Sequence, residues 1–229
     1  MEVRRSSEPN EGFLRNVRDL ASRKGIVLIF DECTSGFRAT FGGIHKLYGV
    51  EPDIAVFGKA LGNGYAITAV VGRRSVMESA QATFISSTFW TERIGPSAAL
   101  ATLKEMERAR SWSLIDGTGI EIQRKWRELA SLHDLRINVT GIPAISSFEF
   151  LGEAGLASKT LFTQEMLRRG FLAGTLVYVC TEHSESILNR YWSAVNEVFH
   201  LIASCKEDSA KICSFLAGPV CHSGFKRLA

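Results

Sequence analysis

Two short apolar runs, each closed by an ionisable side chain, constrain this chain most. "IVLIFDE", residues 26–32, is an unbroken β-branched and aromatic stretch that ends in Asp31 and Glu32. "DIAVFGK", residues 53–59, repeats the pattern and ends in Lys59. An unbroken run marks a strand covered on both faces, the situation of a sheet flanked by helices. "ITAVVG" is read as a third strand and "ATFIS" as a fourth. The sequence around them has helical spacing. In "GFLRNVRDLASRKG" the apolar residues Phe13, Leu14, Val17, Leu20 and Ala21 share one stripe, with Gly25 as the stop. "GPSAALATLKEMERAR" reads as a helix with Pro96 near its first turn. Strands joined by helices predict an α/β layer architecture for this half.

The second half has fewer buried runs. A helix is expected over "IEIQRKWRELASLH", then strands over "LRINV" and "ISSFEF". "LASKTLFTQEMLRRG" reads as a helix closed by Gly170, and "FLAGTLVYV" as a strand. "HSESILNRYWSAVNEVFHLIASC" is a long amphipathic helix, capped by Ser184 and striped by Ile187, Leu188, Tyr191, Val195, Val198 and Phe199. A smaller α+β domain follows from this pattern. The boundary is placed near residues 110 to 118, dividing the chain into 1–114 and 115–229.

The 229 residues suffice for one large domain or two modest ones. A net charge of +3, with no basic stripe, argues against a nucleic-acid partner or an anionic membrane. The five cysteines are odd in number and form no C-x-x-C, which points to a reducing compartment. Cys213, Cys221 and His222 fit no common zinc spacing, so no metal is expected. "MEVRRSSEPN" is polar and leads into no apolar signal segment, and no run approaches the ~20 residues of a membrane span. A cytoplasmic protein is the expectation.

Two readings of the strand ends stay open on residue grounds. Asp31 and Glu32 could cap a turn, or they could face the crevice where open α/β sheets bind ligands. Lys59 could be a solvated charge beside glycines, or an amine kept for chemistry. "GKALGNG" is no phosphate loop, because its lysine precedes the glycines, and no G-x-G-x-x-G occurs. Gly62 and Gly64 are expected to provide positive φ after the lysine. If the two strands are neighbours, a buried amine and a buried carboxylate share one crevice. That pair suits pyridoxal phosphate, which needs an amine to bind covalently and an acid to keep its ring nitrogen protonated.

"LIFDECTSGFR", "YGVEPDIAVFGKALGNGYAITAVVG" and "FISSTFWTERIGPSAALATL" resemble the class III, fold-type I pyridoxal-phosphate aminotransferases. The branch they look like is that of glutamate-1-semialdehyde aminomutase. The resemblance implies part of a fold-type I large domain, with a mainly parallel sheet and flanking helices, followed by a small C-terminal domain. It implies that Lys59 carries the cofactor as a Schiff base and shuttles protons, and that Asp31 pairs with the pyridine nitrogen. Cys33 stands where the family has a valine under the ring. Thr91, five residues before Pro96, would donate to the cofactor phosphate of a neighbouring subunit, with Thr88 as the second candidate. The family's substrates are an amine donor and an aldehyde or keto acceptor, and its intact members are homodimers.

Family members are longer than this chain. The resemblance begins in mid-domain, where Met1 and Glu2 match a Met-Glu-Pro strand ending and Val3 replaces the proline. The expectation is a fragment lacking the N-terminal half, with the phosphate loop and the ring-stacking aromatic. "FLAGTLVYVCTEH" also lacks the arginine with which many members bind a substrate carboxylate. Two alternatives remain beside an aminotransferase or aminomutase. One is a non-catalytic remnant or association module of the same fold, and the other is an unrelated α/β enzyme with an Asp/Lys pair.

Overall fold

The computed structural model describes residues 8–86, 88–89 and 91–224. The expected match of Met1, Glu2 and Val3 to a strand ending lies outside them. The chain divides into two compact units, Met1–Asp116 and Gly117–Ala229.

The first unit opens with α1 (Phe13–Lys24), which buries Leu14 and Ala21 and carries Arg23 and Lys24 against the negative end of its dipole. Gly25 ends it at φ 63°, returning its N–H to the carbonyls of Ala21 and Ser22. Then come β1 (Ile29–Asp31), a 3-10 turn (Ile44–Tyr48), β2 (Ile54–Phe57), a second 3-10 turn (Lys59–Leu61) and β3 (Ala69–Gly72). α2 (Arg74–Met77) runs into a third 3-10 turn (Glu78–Ala82), and α3 (Ile94–Ala109) follows. The sheet order is β1-β2-β3. β1 and β2 are parallel with Asp31 opposite Val56, and β3 is antiparallel with Val70 opposite Val56.

These registers put Phe30, Ala55 and Phe57 on one face, because successive residues of a strand point to opposite sides. That face is buried, and Ala55 and Phe57 join Leu61 and Ala99 in a core. Ile29, Asp31, Val56 and Val70 share the other face, where Ile29 is 42% and Val70 54% exposed. The unbroken apolar runs therefore do not mark strands covered on both sides here. The elements of this unit close one face and leave the second partly open. The expected fourth strand is also absent. "ATFIS" leaves the third 3-10 turn at Ala82 and continues without a ladder, with Phe84 95% exposed. Apolar composition alone cannot hold an extended segment that has no neighbouring strand among the described residues.

The second unit contains most of α4 (Ser111–Leu132), then β4 (Ile137–Thr140), β5 (Ile145–Phe150), α5 (Gly155–Arg168), β6 (Leu176–Tyr178), α6 (Glu185–Ser204) and α7 (Ser209–Cys213). The division of the chain thus falls inside a helix. α4 starts well before the expected residue 120 and runs through Gly117 and Gly119. At Gly119 a Cβ would stand 2.0 Å from the Pro143 carbonyl oxygen, so a close approach accounts for that glycine. The sheet is antiparallel, in the order β4-β5-β6. Only three residues of "FLAGTLVYV" join it, and α7 was not foreseen.

Trp126, Phe148, Phe150, Phe162 and Phe199 build the core of this unit, with ring centroids 4.8 to 6.1 Å apart at tilted or edge-on angles. α6 buries Tyr191, Val195, Val198 and Phe199 as its spacing predicts, and adds Ala194 and Ile202. Ile187 remains partly exposed near the cap. Trp126 Nε1–H donates to the Tyr191 hydroxyl at 3.0 Å.

Candidate active site

The site is built at the carboxyl ends of β1 and β2. Asp31 closes β1, and its Oδ1 accepts the Cys33 backbone N–H at 3.0 Å. Alternation along the strand then separates the two acids. Asp31 lies on the open face and is exposed, whereas Glu32 turns inward and is fully buried. The Glu32 carboxylate accepts the backbone N–H groups of Ile44 and of His45, the latter at 3.0 Å. Its Oε1 also lies 2.5 Å from His45 Nδ1. Glu32 therefore fastens the first 3-10 turn to the sheet, and it is not available to a ligand.

Lys59 follows β2 after one residue, Gly58. A Cβ at Gly58 would stand 2.8 Å from Cys33 Sγ and 3.3 Å from a Thr68 methyl, so only glycine lets the two strand ends approach this closely. Lys59 itself has φ 42°, an uncommon left-handed conformation for a side chain of its size. Its Nζ donates to Thr34 Oγ1 at 2.6 Å and lies 3.9 Å from Cys33 Sγ. The loop after Lys59 differs from expectation in one detail. Gly64 has φ 104°, but Gly62 is right-handed at φ −86°, and the positive φ beside it belongs to Asn63 at 46°.

The structure thus brings Asp31, Cys33 and Lys59 to one end of two paired strands. The amine and the carboxylate are both exposed, not buried as expected, because the sheet face they border is partly open. Thr91 does not join them. It lies exposed in the turn before α3 and makes no hydrogen bond to the Lys59 cluster among the described residues. Thr88 is exposed in the same stretch. The first N–H groups of α3, at Ile94 and Gly95, are already taken by the Glu92 carboxylate. Thr34, Gly58 and the Glu32–His45 pair were not singled out from the sequence. The only signal for Gly58 was its position between a strand and the lysine.

A cavity of about 500 Å³ in this unit borders Ala55, Phe57, His45 and Glu51 on the buried-face side of the sheet. It does not include Asp31 or Lys59, so it is separate from the strand-end site. In the second unit a cavity of about 260 Å³ is bordered by Leu172, Tyr178, His183 and Tyr191. No cluster of three or more His, Cys, Asp or Glu that could hold a metal occurs among the described residues. The donor set around Lys59 fits an aldehyde-bearing pyridine ring at two points, an amine for the aldehyde carbon and a carboxylate for the ring nitrogen.

Comparison with known proteins identifies relatives. The sequence model of the class-III aminotransferases matches residues 7–191. The 3-aminobutyryl-CoA aminotransferase of Cloacimonas acidaminovorans is 35% identical over 195 residues, which is 82% of this chain and 47% of that protein. A glutamate-1-semialdehyde 2,1-aminomutase of Methanocaldococcus jannaschii is 29% identical, covering 83% and 49%. The PLP internal aldimine form of the Sphingopyxis sp. MTA144 FumI protein superposes with a TM-score of 0.85 at 19% identity, covering 91% of this chain and 52% of that one. The chain spans about half the length of the curated relatives it matches. The fold is accordingly that of part of a fold-type I α/β transaminase.

Proposed function

The chain belongs to the class-III aminotransferase family, and on that premise we propose that it carries the lysine side of a pyridoxal-phosphate site in an amino-group-transferring enzyme. The observation that carries this reading is the pairing of β1 with β2. It sets Asp31 and Lys59 at the same end of two adjacent parallel strands, with Cys33 between them. Lys59 Nζ would hold the cofactor's aldehyde carbon, and Asp31 would accept a hydrogen bond from its ring nitrogen. Cys33 would pack beneath the ring. Thr91, which stands apart, would serve the phosphate of a second copy in a homodimer. When bound, pyridoxal phosphate supplies the electron sink that the reaction needs.

The chain's own residues do the rest. Asp31 keeps a positive ring nitrogen in place by charge. Lys59, once released from the aldehyde, is the amine that takes a proton from substrate carbon and returns it at another position. The substrates are a small amine donor and an aldehyde or keto acceptor, and transfer within one molecule, as an aminomutase performs, is one version. The five cysteines are all free thiols, which supports the cytoplasm as the compartment. No described helix is long and apolar enough to cross a membrane.

The test is chemical. The chain is incubated with pyridoxal phosphate, reduced with borohydride and mapped by mass spectrometry. The reading expects the pyridoxyl group on Lys59 in preference to other exposed lysines such as Lys24 and Lys104. Labelling spread evenly over surface lysines contradicts it. The exposure of both Asp31 and Lys59 favours a second reading, an association module without catalysis, and even labelling would select it.

A further inference from the structure

Lys59 does not hang free in solvent, although it is exposed. Its amine has a seat. Nζ donates to Thr34 Oγ1 at 2.6 Å, a short hydrogen bond. The Cys33 sulfur at 3.9 Å is a weak acceptor and contributes less. Thr34 is itself fixed. It is 5% exposed, and its carbonyl accepts the Arg38 Nε–H at 2.7 Å. The backbone end of Lys59 is fixed too, by its φ of 42° and by Gly58 packed against Cys33. A long flexible side chain held at both ends in this way has given up rotamer entropy that a solvated lysine keeps.

We propose that Thr34 is a positioning residue for Lys59. Its hydroxyl seats the amine while the nitrogen carries no second carbon, and so holds that amine back from aldehydes. The use of this seat rests on the reading of Lys59 given under Proposed function, but its geometry does not. When an aldehyde joins Nζ, the carbonyl oxygen leaves as water with two of the three ammonium protons, and the new C=N bond keeps the third. The one N–H that remains is fixed in the plane of the C=N bond, whereas any of the three ammonium protons can turn to Thr34, so the bond to Thr34 opposes joining and favours release. The released amine is also the form that moves a proton.

The test uses the cofactor-free chain. Formaldehyde and cyanoborohydride methylate amines through the same aldehyde step, and peptide mass spectrometry reads each lysine separately, with exposed Lys24 as internal standard. Thr34→Val, a near-isosteric change, is expected to speed methylation of Lys59 relative to Lys24 about fivefold, the size of one net hydrogen bond. Thr34→Ser, which keeps the hydroxyl, is expected to match the parent chain. Thr34→Ala must behave as the valine variant does, which guards against a folding defect peculiar to one substitution. Equal Lys59 rates in the parent, valine and alanine chains overturn the proposal. A parallel titration with pyridoxal phosphate separates the two claims. Faster methylation in Thr34→Val without any cofactor band in the parent chain discards the cofactor reading and keeps the seat. A band with no effect of Thr34 does the reverse.

Discussion

At the residue scale, the contact between Gly58 and Cys33 decides whether two strand ends can share one site. Gly58→Ala should destabilise the first unit by about 1–3 kcal/mol, because its methyl would press on a sulfur 2.8 Å away. Part of that loss should return in the double variant with Cys33→Ala, and a urea denaturation cycle of the four proteins measures the coupling. The Glu32–His45 pair is the second sensitive point. Glu32→Ala leaves two backbone N–H groups and an imidazole nitrogen buried without their acceptor, each at a cost of about 1–3 kcal/mol, so a large loss is expected in the same assay. How far these residues could be read in advance differs for a physical reason. Asp31 and Lys59 close apolar runs, and a strand end is visible in one dimension. Thr34, Gly58 and His45 matter through contacts made across some 13 to 25 positions of chain, and no local pattern announces such a partner.

At the element scale, the helices were the most legible parts, since a stripe and a cap are local. α1, α3, α5 and α6 all form within a few residues of their expected spans. Their caps differ in strength. Asp208 accepts the N–H groups of Ala210 at 2.9 Å and Lys211 at 3.1 Å, whereas Ser184 accepts that of Ile187 at 3.5 Å. Asp208→Ala should therefore cost about 1–2 kcal/mol in thermal unfolding and Ser184→Ala about 0.5 kcal/mol. Strands were less legible, because apolar composition says that a segment wants a partner but not whether one is present. "ATFIS" and most of "FLAGTLVYV" show this. The start of β1 and the turn before β2 are also joined electrostatically, through Asp53. Burial pushes its carboxyl up, but the Leu28 amide at 2.8 Å, the Arg18 guanidinium at 2.7 Å and Arg73 outweigh it and hold the acid below its usual range. A folded-state value below the unfolded one means that this stabilisation is complete above the ordinary carboxylate range. It is lost as the pH falls through the folded value. Stability of the chain should decline below about pH 4, and Asp53→Asn should flatten that decline in pH-dependent unfolding while lowering stability at neutral pH.

At the scale of the whole molecule, the first unit exposes apolar side chains that a closed fold would cover, among them Ile29, Val70, Phe84 and Ile85. Exposed apolar surface of this kind promotes association. The chain should bind a hydrophobic dye more strongly than a compact protein of its size, and Phe84→Ser with Ile85→Ser should reduce both the dye signal and self-association in sedimentation. The same openness bears on chemistry, since water reaches Asp31 and Lys59 and weakens any charge interaction between them and a ligand. The central claim is that this acid and this amine address one pyridine-type ring. Its most direct measurement is an absorbance titration of the chain with pyridoxal phosphate. A saturable band near ~420 nm is expected, absent in Lys59→Ala and weakened in Asp31→Ala. An identical response from all three proteins would contradict it.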